Sequence, residues 1–559
     1  MVRLFAISLT VGLSIGAVMA LFAHLFVEII STAQYMGQQD YLGADSNALI
    51  DILLPFIWLL GGFLLVRLIA ALFSIDKWQG PADAIYVVHR ADGALPPRQG
   101  LASMLAALAS LGGGASLGQY GPIVHMGALF GSLFQRLVRA GLSNDVFIGC
   151  GVAAAISAGF QAPIAGIIFA HEAVLRHFSA RAIAPIAIAS ITASALNSWL
   201  FGSYSFLQIE LREYDLLMVV PALLVGGVLF AVIAIILMAS QLRLSGWLAA
   251  SHFSVWQIGL SGVVLLGIIA TAVPETFGLG MSAISAMLDG QYTASMLAIL
   301  LISKIVAVLI ASSFGFVGGF VSPALFIGAA AGGMLALCLN MIGFDISVLL
   351  LMVAGMAALS ATIVGAPIAM VMLVFELTQS YDFAVAAMLS VVVATFLSHI
   401  SFGHSLFDQQ LSNRKIDISR GRSHLELSAR TITDIISQQY LSFTPETSAG
   451  TVLDMMTKGQ QTEAYCIDVQ GNYIGKVMLY DLVSTKRAQP AGSLAASDHI
   501  AISVNDSLQT AIERAADFVG ETIPVLSEDG TQMAGIVTEG DLFSAYLDTQ
   551  RDIQRIEHG

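Results

Sequence analysis

Charged residues are scarce in this chain: 11% of its 559 residues are Asp, Glu, Lys or Arg, and 57% are hydrophobic. A soluble protein would carry roughly a quarter charged residues. The three cysteines, Cys150, Cys338 and Cys466, are too scattered for a disulfide framework or a metal site. The net charge of −14 gives no basis for nucleic-acid binding. The composition predicts a membrane protein.

The few charges are unevenly distributed along the chain. Residues 408–559 hold 21 of the 38 acidic and 12 of the 24 basic residues. This break predicts a membrane domain over residues 1–411, a linker over 412–430 and a soluble region beyond it. The apolar run 4–30 is too long for the core of a signal peptide, and another apolar span follows it, so we interpret it as the first membrane helix.

The apolar segments of the membrane part are interrupted by Gly, Pro and Ser rather than by charged loops. Broken helices at membrane depth are tolerated where the freed backbone is buried in protein or lines an aqueous path. The interruptions recur: GFQAPIAG from Gly159 resembles IVGAPIAM from Ile363, and the apolar runs that follow end in Glu172 and Glu376. Two related halves with interrupted helices are typical of transporters and channels, although glycine-rich packing is also ordinary in membrane bundles.

The stretch SLGQYGP, residues 116–122, reads as a glycine turn that leads into a helix through Pro122. Such a turn presents backbone N–H groups to an anion. The residues between its two glycines are Gln119 and Tyr120, and neither of them is charged.

Four stretches in this order resemble the CLC family of chloride channels and chloride/proton exchangers: GQYGPIVHMGALFGS, GFQAPIAGIIFAHE, GGFVSPALFIGAAAGG and SLFDQQLSNR. The resemblance covers essentially the whole chain. It implies an all-α membrane domain built from two inverted repeats of discontinuous helices. It also implies a homodimer in the lipid bilayer with one pore per subunit, where several helix N-termini converge on the anion.

The resemblance also implies the residues that bind the anion, and several of them depart from the family pattern. The family's GSGIP segment corresponds to WQGPA, with Gln79 and Gly80 at the anion and Gln79 in place of the usual serine. In GFVSP the backbone N–H groups of Phe320 and Val321 are expected to face the anion. The family's tyrosine hydroxyl corresponds to Phe407, and its loss is expected to weaken the central site by about 0.5–3 kcal/mol.

The gate segment departs most clearly from the family. The family's GREGP corresponds to Gly118–Pro122, with Gln119, Tyr120 and Gly121 at the anion path. The glutamate that gates the family's pore is replaced by Tyr120, whose ordinary pKa is about 10, so it cannot exchange protons near neutral pH. Tyr120 could coordinate a passing anion, obstruct the pore, or only pack.

A second position bears on proton coupling. The inner proton-transfer glutamate of the family's exchangers corresponds to Ala173, which follows His171 and Glu172. Glu172 is interpreted as a structural acid, and His125 and Glu376 are interpreted as structural hydrogen-bonding residues rather than pore ligands. His171 could carry protons, but a satisfied polar pair is the more ordinary role for a His beside a Glu. The sequence thus predicts an anion channel without proton coupling, modulated by voltage or a ligand.

The tail resembles a pair of α/β CBS domains, over residues 431–490 and 491–559. The hairpin segments DVQGNYIGKVMLYDLV and SEDGTQMAGIVTEGDLF each turn at a glycine-containing loop. The family's nucleotide-binding pattern is kept in the second copy, with Thr538 and Asp541, whereas the first has Asp481 but Met478 in place of Thr or Ser. The pair could bind an adenine nucleotide or serve only to stabilise a dimer.

Two alternatives to the channel remain open. One is a chloride/proton antiporter with a relocated proton route. The other is a divalent-metal transporter, which is disfavoured because the pore segments are glycine-rich and apolar, whereas hard cations need oxygen ligands. No catalytic motif indicates an enzyme, and no cofactor is required. The compact loops favour a bacterial inner membrane with the CBS domains in the cytoplasm, and the preferred anion is not fixed by the sequence.

Overall fold

A computed structural model describes residues 2–37, 48–90, 93–138, 142–178, 180–202, 216–414, 416–418, 421–496 and 500–558. The chain divides into two compact units, residues 1–416 and 417–559. The first is helical and the second mixes helices with two small sheets. These units confirm the predicted class, an all-α membrane domain followed by an α/β region.

The first half of the membrane unit contains α1 (Val2–Met36), α2 (Ala48–Phe73), α3 (Pro81–Val88), α4 (Pro97–Gly112), α5 (Tyr120–Val138), α6 (Asn144–Phe160), α7 (Pro163–Phe169), its π-helical continuation (Ala170–Leu175), and α8 (Ala180–Phe201). The second half contains α9 (Leu216–Ala250), α10 (Val255–Ala272), a 3₁₀ turn (Pro274–Thr276), α11 (Met281–Leu288), α12 (Ala294–Ser313), α13 (Val321–Met341), α14 (Val348–Val364), α15 (Pro367–Thr378), α16 (Tyr381–Ser401) and α17 (Leu406–Ser412). Within the described residues, eight helical stretches are long and apolar enough to cross a membrane.

The two halves repeat the same local breaks. Helix α6 ends at the left-handed Gln161 (φ 54°), and α14 ends at the left-handed Gly365 (φ 79°). An Ala-Pro pair follows each break, and the proline opens the next helix because its missing N–H is not needed there. The apolar runs that the sequence showed to recur are thus two copies of one broken-helix unit.

Close helix contacts also recur between the halves. A Cβ atom on Gly127 of α5 would lie 2.2 Å from the carbonyl oxygen of Gly151 on α6. A Cβ atom on Gly328 of α13 would lie 2.3 Å from that of Gly355 on α14. Small residues let membrane helices approach to backbone contact. The α5–α6 and α13–α14 pairs are therefore equivalent helix pairs, each packed to backbone contact.

The second unit begins with α18 (Gly421–Ala429), which lies inside the predicted linker, and a 3₁₀ turn (Ile432–Ile435). A first sheet contains β1 (Ser442–Phe443), β2 (Glu463–Ile467) and β3 (Tyr473–Met478), with α19 (Ala449–Gly459) and α20 (Leu479–Val483). A 3₁₀ turn (Ala491–Leu494) leads to a second sheet of β4 (Ile502–Ser503), β5 (Thr522–Leu526) and β6 (Met533–Thr538), with α21 (Leu508–Ala515) and α22 (Glu539–His558).

The two sheets exchange core residues. The segment before the first sheet packs on the second sheet, and the segment before the second sheet packs on the first. Ile432 is buried in the cluster around the second sheet, whereas Ala491 is buried in the cluster around the first. Backbone bridges follow the same exchange, from Ser437 to Ile536 and from Ala496 to Lys476. The two CBS-like copies are therefore interlocked within this unit.

Candidate functional site

Two helices of the membrane unit begin at one shared turn. The backbone of Gly118 donates to the carbonyl oxygen of Gly319 at 2.7 Å, and that of Gly319 donates to Gly118 at 2.6 Å. Helix α5 starts at Tyr120 and helix α13 starts at Val321, each two residues beyond its glycine. The reciprocal pairing relates GQYGP to GFVSP and makes Tyr120 the counterpart of Val321.

Only glycine fits where the two backbones of this turn approach most closely, at Gly121 and Gly319. A Cβ atom on Gly121 would lie 2.9 Å from the Cα atom of Gly319, and one on Gly319 would lie 2.8 Å from the backbone nitrogen of Gly121. The close approach brings the first turns of α5 and α13 together, where N–H groups have no acceptor within their own helix. Two positive helix ends therefore meet in one place, which is chemically suited to an anion.

Tyr120 lies at this meeting point and is buried. Its ring is stacked on Phe160 at the end of α6, with 3.7 Å between centroids and 16° between planes. A Cβ atom on Gly159 would lie 3.0 Å from the Tyr120 ring, so the glycine makes room for it. The phenol is held by packing against α6 beside the two helix N-termini.

Buried polar atoms without a hydrogen-bond partner among the described residues surround the same turn. They are the hydroxyl oxygens of Ser116 and Ser322 and the side-chain carbonyl oxygen of Gln119. Buried polar atoms are nearly always paired, so an unpaired group points to a bound ion or to water. The serine hydroxyls can donate to an anion, and the sequence analysis had singled out neither of them.

Helix α3 also reaches this region, but its expected donors are already engaged. The backbone N–H of Gly80 donates to the Asp83 carboxylate at 2.8 Å, and that of Gln79 donates to the Ser103 hydroxyl at 2.8 Å. The Gln79 amide nitrogen donates to Gln99 at 3.1 Å. An acidic third residue of the helix thus caps the α3 N-terminus itself.

Phe407 is buried on α17, whose ends are fixed by ion pairs. Asp408 at its start pairs with Arg176, and Arg414 beyond its end pairs with Asp83 at 2.6 Å. The second ion pair links α17 to the capped N-terminus of α3. No hydroxyl is available at Phe407, so α17 contributes an aromatic side chain rather than a donor at this position.

Glu172 and Glu376 cap each other's helices. The Glu172 carboxylate accepts from the backbone N–H groups of Ile368 and Ala369 at 2.9 and 2.7 Å, at the start of α15. The Glu376 carboxylate, near the end of α15, accepts from Ile164 and Ala165 at 2.8 and 2.7 Å, at the start of α7. Both carboxylates thus have structural partners.

The residues around the expected proton-transfer position lie in the π-helical turn after α7. Ala173 is buried there and has no titratable group. The Nδ1 atom of His171 lies 3.0 Å from the carbonyl oxygen of His177, and its Nε2 atom is buried without a partner among the described residues. His171 and Glu172 line a cavity of about 780 Å³, together with Arg176, His399, His404 and Asp408.

In the second unit, Asp541 caps the start of α22. Its carboxylate accepts from the Thr538 hydroxyl at 2.7 Å and from the Thr538 backbone N–H at 3.1 Å. Asp541 also lines a cavity of about 770 Å³ that contains Arg430, Asp434 and Asp548. In the first copy, Asp481 accepts from the Met478 backbone at 3.4 Å, and methionine supplies no hydroxyl.

A buried ionic network, which no sequence pattern predicts, links the two CBS-like copies. The Glu463 carboxylate on β2 accepts from Lys476 at 2.9 Å and from the backbone N–H groups of Glu521 and Thr522 at 3.1 and 2.9 Å. Burial acts to raise the pKa of Glu463, but hydrogen bonds from Thr522 and Lys476 outweigh it and hold the pKa below its ordinary value. Burial likewise raises the pKa of neighbouring Tyr473 to about 12. No short motif marks this network, because its members come from different strands.

The long apolar helices, interrupted at paired helix N-termini, are those of a membrane protein. The chain belongs to the voltage-gated chloride channel (CLC) family, whose model matches residues 61–399, and a CBS domain model matches residues 491–548. It is 28% identical to a ClcB-like chloride channel protein of Ralstonia nicotianae over 62% of this chain and 82% of that protein. It is 26% identical to the voltage-gated ClC-type chloride channel ClcB of Salmonella typhimurium over 71% of this chain and 98% of that protein.

Solved structures share the fold. A slow cyanobacterial Cl⁻/H⁺ antiporter matches with a TM-score of 0.62 and 19% identity, over 74% of this chain and 98% of that one. A eukaryotic CLC transporter matches with a TM-score of 0.61 and 16% identity, over 97% of this chain and 98% of that one. The second match spans both the membrane unit and the CBS-like unit.

Proposed function

We propose that this protein is a passive anion channel, with chloride as the transported ion, and that it does not couple anion flow to protons. The observation that carries the proposal is Tyr120, a neutral phenol at the shared start of α5 and α13, where coupling requires a titratable carboxylate. The proposed anion donors are the first backbone N–H groups of the two helices, those of Tyr120 and Gly121 on α5 and of Val321 and Ser322 on α13. Gln119 and Phe320 are the residues just before these helices.

The hydroxyls of Ser116 and Ser322 join these donors in the proposed site, since both are buried and unpaired among the described residues. The anion pathway is then lined, without binding the anion, by three of the predicted site residues: Gln79, Gly80 and Phe407. The backbone N–H groups of Gln79 and Gly80 donate to protein acceptors, and the phenyl ring of Phe407 has no donor. Anion preference therefore depends mainly on the α5–α13 turn.

A second candidate is a chloride/proton antiporter in which His171 replaces the missing inner glutamate. The buried, unpaired Nε2 atom of His171 beside a cavity favours it. We rank it lower because Glu172 is engaged by α15 and Tyr120 offers no carboxylate to receive the proton. The proteins similar to this chain include both chloride channels and Cl⁻/H⁺ antiporters.

The assembly and regulation follow the family in this proposal. The protein acts as a homodimer in the bacterial inner membrane, with the CBS-like unit in the cytoplasm. An adenine nucleotide is the proposed modulator, and its site is the cavity beside Asp541 and Thr538 rather than the Asp481 position, which lacks the hydroxyl.

The proposal is tested by reconstituting the full-length protein in chloride-loaded liposomes and recording chloride release and external pH together. With the voltage set by valinomycin, chloride release without proton movement supports a passive channel. Proton movement in fixed proportion to chloride contradicts it, and loss of that movement in His171→Ala would then establish the antiporter.

A further inference from the structure

Lys304, on α12, is a fully buried lysine whose neighbours are all electron-rich. Its Nζ atom donates to the carbonyl oxygens of Gly278 at 2.9 Å and Thr276 at 3.2 Å, and it lies 4.9 Å from the centre of the Phe326 ring. Two carbonyls and an aromatic face stabilise an ammonium group, not a neutral amine that needs a donor for its lone pair. Among the described residues, no acidic side chain forms an ion pair with Lys304. The groups that accept from its ammonium are therefore uncharged carbonyls.

The carbonyl groups that accept from Lys304 belong to a segment that is hydrogen-bonded to the loop before the shared turn. The Gly278 backbone N–H donates to the carbonyl oxygen of Gly114 at 2.9 Å. The Phe277 ring fills the space beside Gly114, since a Cβ atom there would lie 2.0 Å from it. Gly114 opens the loop that reaches Gly118 four residues later. Lys304 is thus linked to α5 through one short segment.

Lys304 is linked to α13 from the other side. The Phe326 ring that it faces is on α13, five residues beyond Val321. The same ring packs on Gly280, the residue just before α11, because a Cβ atom there would lie 2.8 Å from it. The ammonium group therefore contacts α13 directly through Phe326, and it reaches the loop before α5 only through the segment 276–278.

We propose that the ammonium group of Lys304 is a buried positive charge that raises the affinity of the conduit for anions. An unpaired charge in a low-dielectric interior acts over longer distances than one in water, and it adds to the positive helix ends of α5 and α13. A membrane-buried ionisable residue marks a functional site by default. This inference rests on the proposed function, because it requires that anions pass the turn.

Charge and positioning are separated by a matched control. Gln34 holds the same segment without charge: its amide nitrogen donates to Leu111 at 2.8 Å, and its side-chain oxygen accepts from Leu279 at 3.3 Å. Lys304→Gln keeps a donor for a carbonyl but removes the charge, Lys304→Arg keeps the charge, and Gln34→Met loosens the segment with no change in charge. Chloride flux is measured in liposomes against chloride concentration, per folded dimer.

Lys304→Gln is expected to raise the half-saturating chloride concentration several-fold. Lys304→Arg is expected to keep it close to the wild-type value. Gln34→Met is also expected to leave it near the wild-type value. An unchanged value in folded Lys304→Gln protein overturns the inference. So does an equal rise in Gln34→Met, since that assigns the effect to positioning alone. If Lys304→Gln does not fold, Lys304→Met provides the neutral variant. Absence of chloride flux in the wild-type protein is a different result, which contradicts the proposed function itself.

Discussion

The ring of Tyr120 is stacked on Phe160, with centroids 3.7 Å apart and planes 16° from parallel. This contact joins the first residue of α5 to the last residue of α6, and it holds a neutral side chain beside two positive helix ends. A carboxylate in this place could alternate between the anion position and solvent as it gains and loses a proton. A phenol has neither the charge nor the suitable pKa for such exchange. The central claim of passive flow depends on this substitution.

Restoring the carboxylate at the gate position is predicted to make conduction depend on pH. In Tyr120→Glu, the protonated side chain leaves the path open, and the ionised one competes with chloride for the helix ends. Chloride flux should therefore fall as the pH rises through the carboxylate's pKa, whose ordinary value is about 4.3. The measurement is flux against pH in liposomes. Tyr120→Gln, which is neutral, should show no such dependence, and a flat profile for Tyr120→Glu would remove Tyr120 from the anion path.

Replacing Gly121 by alanine is predicted to abolish function. Its Cβ atom would lie 2.9 Å from the Cα atom of Gly319, so backbone must shift at the turn that holds α5 and α13 together. Gly61 in the middle of α2 is the control, because a Cβ atom there meets nothing within 4 Å. Gly61→Ala should be neutral or stabilising, by about 0.5–1 kcal/mol. Folded Gly121→Ala protein with normal flux would show that the close approach is dispensable.

The two glutamates that cap each other's helices are predicted to contribute equally to the stability of the protein. Glu172→Gln or Glu376→Gln leaves an amide NH₂ facing one backbone N–H, so each should cost about 1.5–3 kcal/mol, the value of hydrogen bonds to a charged group. The expected result is a similar drop in melting temperature for the two variants of the detergent-solubilised protein. Asp289→Asn, at an exposed position, is the control. A large loss of flux in folded Glu172→Gln alone would instead indicate a transport role.

The buried carboxylate between the CBS-like copies is predicted to make this unit sensitive to acid. Because the folded-state pKa of Glu463 is lowered, its contribution is present above the unfolded pKa, about 4.3, and is lost as the pH falls through the folded pKa. Hydrogen exchange of the β5 amides in the full-length protein, corrected for the intrinsic rate, should show protection declining in that acidic range. Glu463→Gln should lower the protection already at neutral pH. Equal protection in both proteins at every pH would contradict this role.

Nucleotide binding is predicted to depend on the second copy alone. Asp541→Ala should abolish binding of an adenine nucleotide measured by calorimetry, whereas Asp481→Ala should leave it unchanged. The reason is that the Thr538 hydroxyl and a cavity of about 770 Å³ accompany Asp541. Binding that survives in Asp541→Ala would exclude this cavity as the nucleotide site.

Local sequence patterns predicted the parts of the molecule that depend on local structure. Gly118, Pro122 and the repeated Ala-Pro breaks each constrain the backbone within a few residues, so the broken helices and the glycine turn before α5 could be anticipated, but not the pairing of that turn with Gly319. The acidic ends of the two recurring segments also identified Glu172 and Glu376, although not that each caps the other's helix.

Contacts between distant segments could not be anticipated in the same way. The capping of α3 by Asp83 was open to prediction, since the acid is three residues beyond Gly80, but the partner Arg414 is far along the chain. Lys304 bonds to backbone carbonyl groups, which carry no sequence signature. The interlocking of the CBS-like copies likewise depends on tertiary packing and on no motif.

The most direct test of passive flow is the reversal potential of the full-length protein in a planar bilayer, under a fixed chloride gradient with and without an opposing proton gradient. For a passive channel the current reverses at the chloride equilibrium potential in both conditions, because Tyr120 and Ala173 leave no carboxylate to couple protons to the anion. A reversal potential that moves with the proton gradient would contradict it and would establish exchange in place of conduction.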